Sequence, residues 1–445
     1  MGASPCIPDY SHTSTSLLHF KSNDKRVTSM NPTLRVFLAG VIFSVLMGAC
    51  AQAITPTPTL EPTPFDRMGT LTPSTPPVAS ELTESTCDDP FEGETVRFTT
   101  SFWPDTDFCQ HSVPYAEILA GGALPPDGIP AIDQPRFESL DEGDGWLGDD
   151  WPVIVYENNG DARAYPLAIL TWHEIINDDV GGEPIAITFC PLCNASIAFS
   201  RLLPDGTTLS FGTSGNLRNS DLIMYDRETQ SWWQQFTGEA IVGTLTGTRL
   251  TIRPSQIVSW AAFKQAFPEG RVLSRDTGHS RAYGQNPYPG YDSIHNSPFF
   301  PVAGEDERLA LMERVVGILV EDRGFAYPFD SLSTQRVVND TPGGTPVVVL
   351  WSPGTLSALD SSSMQNSRMV GSAAAYEATL DGQLLTFEPD GEALFRDQET
   401  GSRWTIFGRA VDGELEGSRL TPIPSGVYLW FAWAAFQPDT VIWQP

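Results

Sequence analysis

The stretch VIVYENNGDARAYPLAILTWHEIINDDVGGEP, residues 153–184, lies over VVGILVEDRGFAYPFDSLSTQRVVNDTPGGTP, residues 315–346, at one constant offset. Ala164-Tyr165-Pro166 meets Ala326-Tyr327-Pro328, Asn177-Asp178 meets Asn339-Asp340, and Gly181-Gly182 meets Gly343-Gly344. Two further blocks follow in the same order. DRETQSWW (226–233) matches DQETGSRW (397–404), and VGTLTGTRLTIRPS (242–255) matches DGELEGSRLTPIPS (412–425). Trp260, Ala262 and Pro268 then face Trp430, Ala432 and Pro438. Three collinear matches define an internal repeat, the signature of a duplicated unit. The folded part therefore reads as two homologous halves, 150–273 and 313–445, joined by residues 274–312.

Each half carries the same local signals. PVIVYE (152–157) and PIAITF (184–189) are apolar strand-like runs, and LAILTWHEIIND (167–178) suits a short helix or a strand. Pro204-Asp205-Gly206 marks a turn between SIAFSRLL and TTLSFG, and AIVGTLTGTRLTIRPS reads as another hairpin. SQIVSWAAFKQAF is a capped helix stopped by Pro268. Strands dominate, with about two helices per half. The expected fold is a β-rich α+β protein of two tandem half-domains packed as a pseudo-two-fold pair.

Duplication makes each half a control for the other, because a structural need persists in both copies whereas a site need survive in only one. Cys190-Pro191-Leu192-Cys193 lies over Ser352-Pro353-Gly354-Thr355, and Trp172-His173-Glu174 over Thr334-Gln335-Arg336. FGTSGNLRNSDLIMYDRE (211–228) faces the shorter FEPDGEALFRDQE (387–399), so Ser214, Gly215, Asn219, Ser220 and Asp221 lose their equivalents. The thiols and polar groups vanish together while the Gly-Gly, Asn-Asp and Trp framework stays. That places a candidate site in the first half.

A Cys-x-x-Cys turn between strands lets two thiolates face one ion. Cys190, Cys193 and His173 form the expected metal ligands, with Asp221, Glu174 or an exogenous group as the fourth. Two thiolates and an imidazole suit zinc or copper. Ser214, Asn219, Ser220 and Asp221 would form a polar wall beside it. Two other readings stay open: a thiol–disulfide oxidoreductase, disfavoured because no βαβ pattern surrounds the motif, and a surface binding module in which Cys190 and Cys193 form a structural disulfide. Ser214 sits in no Gly-x-Ser-x-Gly elbow and is not read as a nucleophile. His279 and His295 lie in the Tyr- and Pro-rich segment 274–312, which is expected to strap the halves together.

The N-terminus gives location. MNPTLRVFLAGVIFSVLMGAC (30–50) has a basic residue, a short apolar run and small residues before Cys50. The expected reading is a signal peptide with a lipobox, residues 1–50, with Met30 as the true start and Cys50 as the lipidation site; a plain signal peptide cut near Ala53 is the alternative. The Thr-Pro-rich residues 51–86 form an extended tether. Cys87 and Cys109, in an N-terminal extension (87–149), are expected to pair in an oxidising compartment, worth about 3 kcal/mol by loop closure. With 55 acidic against 26 basic residues and a net charge of −29, the chain repels nucleic acid. Its expected membrane contact is the lipid on Cys50. The protein is accordingly expected to be exported and lipid-anchored on the outer face of the cytoplasmic membrane or at the cell surface.

Taken together, HEIINDDVGGEPIAITFCPLCNASIAF, FGTSGNLRNSDLIMYDRETQSWWQQFTGEAIVG and DTGHSRAYGQNPYPGY resemble the bacterial family called domain of unknown function 3179. The likeness covers about residues 110–330, with the second half as a diverged copy. It implies export and a first-half site, since His173, the two cysteines and the Ser-Gly…Asn-Ser-Asp stretch fit the family pattern. It implies no activity. His279 and His295 depart from the pattern, which lowers them as ligands.

Overall fold

The computed structural model of the chain describes residues 87–122 and 124–445. The expected signal peptide, Met30 start, Cys50 anchor and tether lie outside the described residues. Among the described residues the protein is β-rich, with five short α-helices. No helix among them is long and apolar enough to cross a membrane.

Three sheets carry the first half. One has the strand order Gln256–Ser259, Pro152–Asn158, Asp161–Pro166, Arg271–Leu273, Phe137–Glu138. A second runs Ile252–Arg253, Ala195–Ser200, Glu183–Cys190, Ile175–Val180. A third runs Ile118–Ala120, Phe211–Arg218, Asp221–Asp226, Trp232–Gln234, Glu239–Val242. Residues 313–445 build sheets of related order. Ser425–Leu429, Arg314–Val320, Arg323–Pro328 and Val441–Ile442 repeat the first, including the parallel pairing of its short C-terminal strand. Val337–Asp340, Val347–Ser352 and Ser372–Glu377 form another, Thr379–Leu380 and Gln383–Leu384 a two-stranded one, and Phe387–Asp390, Leu394–Asp397, Arg403–Trp404 and Ala410–Asp412 the last.

The residues shared by both halves make the same bonds. The Asn177 side chain accepts from the Phe211 backbone N–H at 2.9 Å and donates to its carbonyl at 2.8 Å, and Asn339 does the same with Phe387 at 2.9 Å each. Tyr165 donates to Asp178 at 2.7 Å and Tyr327 to Asp340 at 2.9 Å. Asp226 caps its turn through Thr229 and accepts the Trp233 indole at 2.8 Å, and Asp397, Thr400 and Trp404 reproduce this. Polar groups are kept where a buried backbone or indole needs a partner.

Local readings resolve in physical terms. LAILTWHEIIND is both helix and strand: Leu167–His173 is helical and Ile175–Val180 extended. The break falls at Glu174, which takes a positive φ of 59° and returns its N–H to Leu170. The turn at Pro204-Asp205-Gly206 exists, but the strands before and after it join different sheets, so only the Leu202–Thr208 bridge links them. The helix Trp260–Ala266 is capped by the Ser259 hydroxyl, which accepts from Ala262.

Cores cross from one half to the other. Val155, Val258 and Trp260 pack in one cluster with Val348, Tyr376 and Trp404, while Cys193, Phe199 and Phe236 share another with Tyr428, Trp430 and Trp433. The N-terminal extension adds the strand Ile118–Ala120 to the third sheet and packs Trp103 and Tyr115 against Trp232. Cys87 and Cys109 are disulfide-bonded with Cα atoms 5.8 Å apart.

Asn177→Ala should lower stability by about 1–3 kcal/mol, the cost of leaving buried backbone groups unpaired, and Asn339→Ala, at an exposed position, by about 0.5–1.5 kcal/mol. Shifts in urea midpoint measure this, and a neutral Asn339→Ala would show that the second amide is dispensable.

Candidate metal centre

The cysteines sit at a hairpin end. Glu183–Cys190 pairs with Ala195–Ser200, Cys190 lying opposite Ala195, and the four intervening residues form the turn. The Cys193 N–H returns to the Cys190 carbonyl at 3.3 Å, and Asn194 closes the turn at a φ of 52°, a conformation asparagine tolerates well. The second half holds this turn from outside. Asn194 donates to the Val427 carbonyl at 2.9 Å, and the Leu429 N–H donates to the Cys193 carbonyl at 2.9 Å.

The neighbouring sheet delivers the third group. Strands Phe211–Arg218 and Asp221–Asp226 are joined by Asn219 and Ser220, both at positive φ (52° and 61°), the two-residue turn that matches strand twist. Asp221 is the first residue after it. One sulfur from each cysteine and one Asp221 carboxylate oxygen lie within 4.8 Å of one another, all buried. Both cysteines carry free thiols here. The Asp221 Oδ2 accepts from Gln234 at 2.7 Å and from the Phe236 N–H at 3.0 Å, whereas Oδ1 has no hydrogen-bond partner.

Electrostatics single this cluster out. Burial pushes both thiols up and lifts Asp221 to about 7, despite its two donors. Burial, reinforced by the Asp221 charge, lifts Glu174 to about 8. Among the described residues neither carboxylate forms an ion pair; the paired arginines and lysine lie elsewhere. Four acidic groups buried without a cation must hold protons or gain one, because an isolated buried charge is costly. A divalent ion held by Cys190, Cys193 and Asp221 would supply the missing charge and take the thiols as thiolates.

The strap residues roof this cluster. Tyr291 is fully buried with an unpartnered hydroxyl, and the nearby thiols add to the burial that raises its phenol. Its backbone is pinned to Leu359, and the adjacent Asp292 is bound by Arg314, by Ser357 at 2.6 Å and by Arg368 at 2.8 Å. In the second half the four-residue turn is replaced by residues 353–371, and these hold the strap in place.

The remaining candidates sort by their partners. Asp221 joins the thiols, and the Ser220 carbonyl approaches the sulfurs of Cys190 and Cys193 at 3.9 and 3.4 Å. Asn219 faces the strap, accepting from the Ala303 N–H at 3.0 Å. Ser214 supports a bulge in its strand, donating to the Ile223 carbonyl and accepting from the Asn216 N–H, so it is structural rather than part of a wall. His173 is not the third group beside the thiols. Its Nδ1 donates to the Pro130 carbonyl at 2.6 Å, and its Nε2 meets the Tyr283 hydroxyl at 2.7 Å, which in turn contacts Thr277. Both ring nitrogens are therefore taken. The sharp turn at Glu174 separates the two neighbours, sending the carboxylate toward Asp221 and the imidazole toward the strap. Tyr291, which sequence reasoning passed over, had only the tyrosine density of the strap as a signal.

This is a β-rich protein with a buried site of two thiols and one carboxylate. The chain belongs to the family described as a protein of unknown function (DUF3179), whose match covers residues 126–440 and thus extends past the expected 110–330 through the second half. No curated protein and no solved structure matches it.

Burial pushes the His173 imidazole down to about 4 from 6.5. The unfolded chain then binds its proton first as pH falls, so His173 contributes stability above pH 6.5 that is lost between 6.5 and 4. His173→Gln should flatten that segment of the stability–pH curve in urea titrations. An unchanged slope would show that His173 does not titrate this way.

Proposed function

We propose that the protein is an exported, lipid-anchored metal-binding protein whose first half holds zinc through Cys190, Cys193 and Asp221. The observation that carries this reading is the convergence of three ligating atoms within 4.8 Å in a buried cluster without a paired cation. Zinc is favoured over copper because the third group is a carboxylate, a harder ligand than the imidazole expected from sequence. Three protein ligands leave a fourth position, as in zinc sites that take water or substrate. Glu174 stands near enough for its charge to act on Cys190, and it serves as an outer partner or the fourth ligand. In this reading the two halves arose by duplication and pack as a pseudo-two-fold pair, an interpretation supported by the matched sheet orders and amide bonds. Cys50 carries the lipid and residues 51–86 the tether.

Metal analysis of protein purified under reducing conditions should find one zinc per chain, lost in Cys193→Ser and in Asp221→Asn with the β-sheet spectrum intact. Glu174→Gln should weaken zinc about 10–100-fold if it acts as an outer partner. Metal-free wild type with a Cys190–Cys193 disulfide would overturn the proposal in favour of a structural clip. Cys50→Ser should move the protein from the membrane fraction to the soluble exported fraction, and retention at the membrane would refute the anchor.

A further inference from the structure

Away from the cysteines, the halves meet at a cleft of about 400 Å³ whose walls include Arg253, Arg409, Arg419, Glu157, Gln256 and Tyr376. In a chain with twice as many acidic as basic residues, three arginines face two glutamates here. The Glu157 Oε2 accepts from both Arg409, at 3.0 Å, and Arg419, at 2.8 Å. Arg253 donates to Glu183 at 2.6 Å. A guanidinium has five N–H donors, and each of these three gives one to a protein acceptor among the described residues. The Gln256 side chain donates to the Tyr376 hydroxyl and leaves its buried Oε1 without a partner. Arg409 lies 4.2 Å from the Phe267 ring centre, which fixes the plane of its fork.

The matching place in the first half also opens on a cleft, of about 500 Å³ and lined by Arg249 and Leu250, but its charges are paired differently. Arg409 and Arg419 face each other across a β-bridge, and the matching bridge in the first half joins Glu239 to Arg249. There the two side chains close an ion pair at 2.7 Å. The second half puts an arginine where the glutamate was, so like charges stand opposite one another, an arrangement that costs stability unless an anion lies between them. Glu157 supplies one shared oxygen and leaves an excess positive charge with unspent donors.

We propose that this cleft binds a small anion carrying a carboxylate or phosphate group, gripped by Arg409 and Arg419, with Arg253 at its rim. Paired guanidinium forks match the planar or tetrahedral oxygens of such groups. The volume fits a small molecule. The second half, bare of thiols, thus contributes the two gripping arginines to a site shared between the halves.

Calorimetric titration of the full chain with inorganic phosphate and, separately, with succinate tests this. At least one should bind, about ten-fold more weakly in Arg409→Gln and in Arg419→Gln, as expected for loss of a charged hydrogen bond. Binding should also fall as sodium chloride rises from about 50 to about 500 mM. Phosphate alone would identify a phosphate-bearing ligand, and succinate alone a carboxylate. Binding of neither by wild type, or equal binding by both folded variants, would overturn the proposal. Thermal melts establish that the variants are folded.

Discussion

The site rests on side-chain amides that bridge its two sheets: Gln235 donates to Thr188 and Ala195 beside the cysteine turn, at 2.8 and 3.3 Å, and Asn177 brackets Phe211. Asn177 lies in the sheet that ends at Cys190, and Phe211 opens the strand that leads through the tight turn to Asp221. By accepting from and donating to the Phe211 backbone, Asn177 continues hydrogen bonding from one sheet into the next where no strand pairing joins them. A paired donor and acceptor on a short side chain leave little freedom of angle or distance. The gap between thiols and carboxylate is therefore fixed by scaffold bonds, before any ion is considered. Asn339 and Phe387 keep the same bracket in the other half, where no thiol follows.

The backbone break at Glu174 shows how one frame serves two purposes. Arg336 occupies the matching position with a φ of 65°, again returning its N–H four residues back, and again the next sheet strand donates to its carbonyl. Neither residue is a glycine, so both copies carry the strain of a left-handed conformation. The side chains diverge. Arg336 donates to the carbonyls of Gly391 and Glu392 at the surface, whereas Glu174 points into the buried acidic cluster. The kink belongs to the fold and the carboxylate to the site.

This division explains what was legible. Tyr165, Asn177, Asp178, Asp226 and Trp233 could be marked as framework because each recurs in the second half, and each makes a recurring bond. Cys190 and Cys193 stood out because they do not recur. Asp221 was in view as one of three options for the fourth ligand and as one of several polar residues, since sequence offers no way to tell which side of a two-residue turn faces a neighbouring hairpin. His173 misled because its loss from the second half together with the cysteines suggested a shared role, whereas its ring bonds Pro130 and Tyr283. The roof formed by Tyr291 and residues 353–371 was out of reach, for it rests on irregular chain with no periodicity to read.

The turn that carries the thiols has its outer contacts in the other half, through Val427 and Leu429. Without residues 313–445 the Asn194 amide and the Cys193 carbonyl would face solvent, and Cys193, Phe199 and Phe236 would lose the apolar cover of Tyr428, Trp430 and Trp433. The half without cysteines thus supports the site of the other. Val427 and Leu429 therefore carry a second constraint beyond their own strand pairing, since the thiol-bearing turn of the other half rests on their backbone.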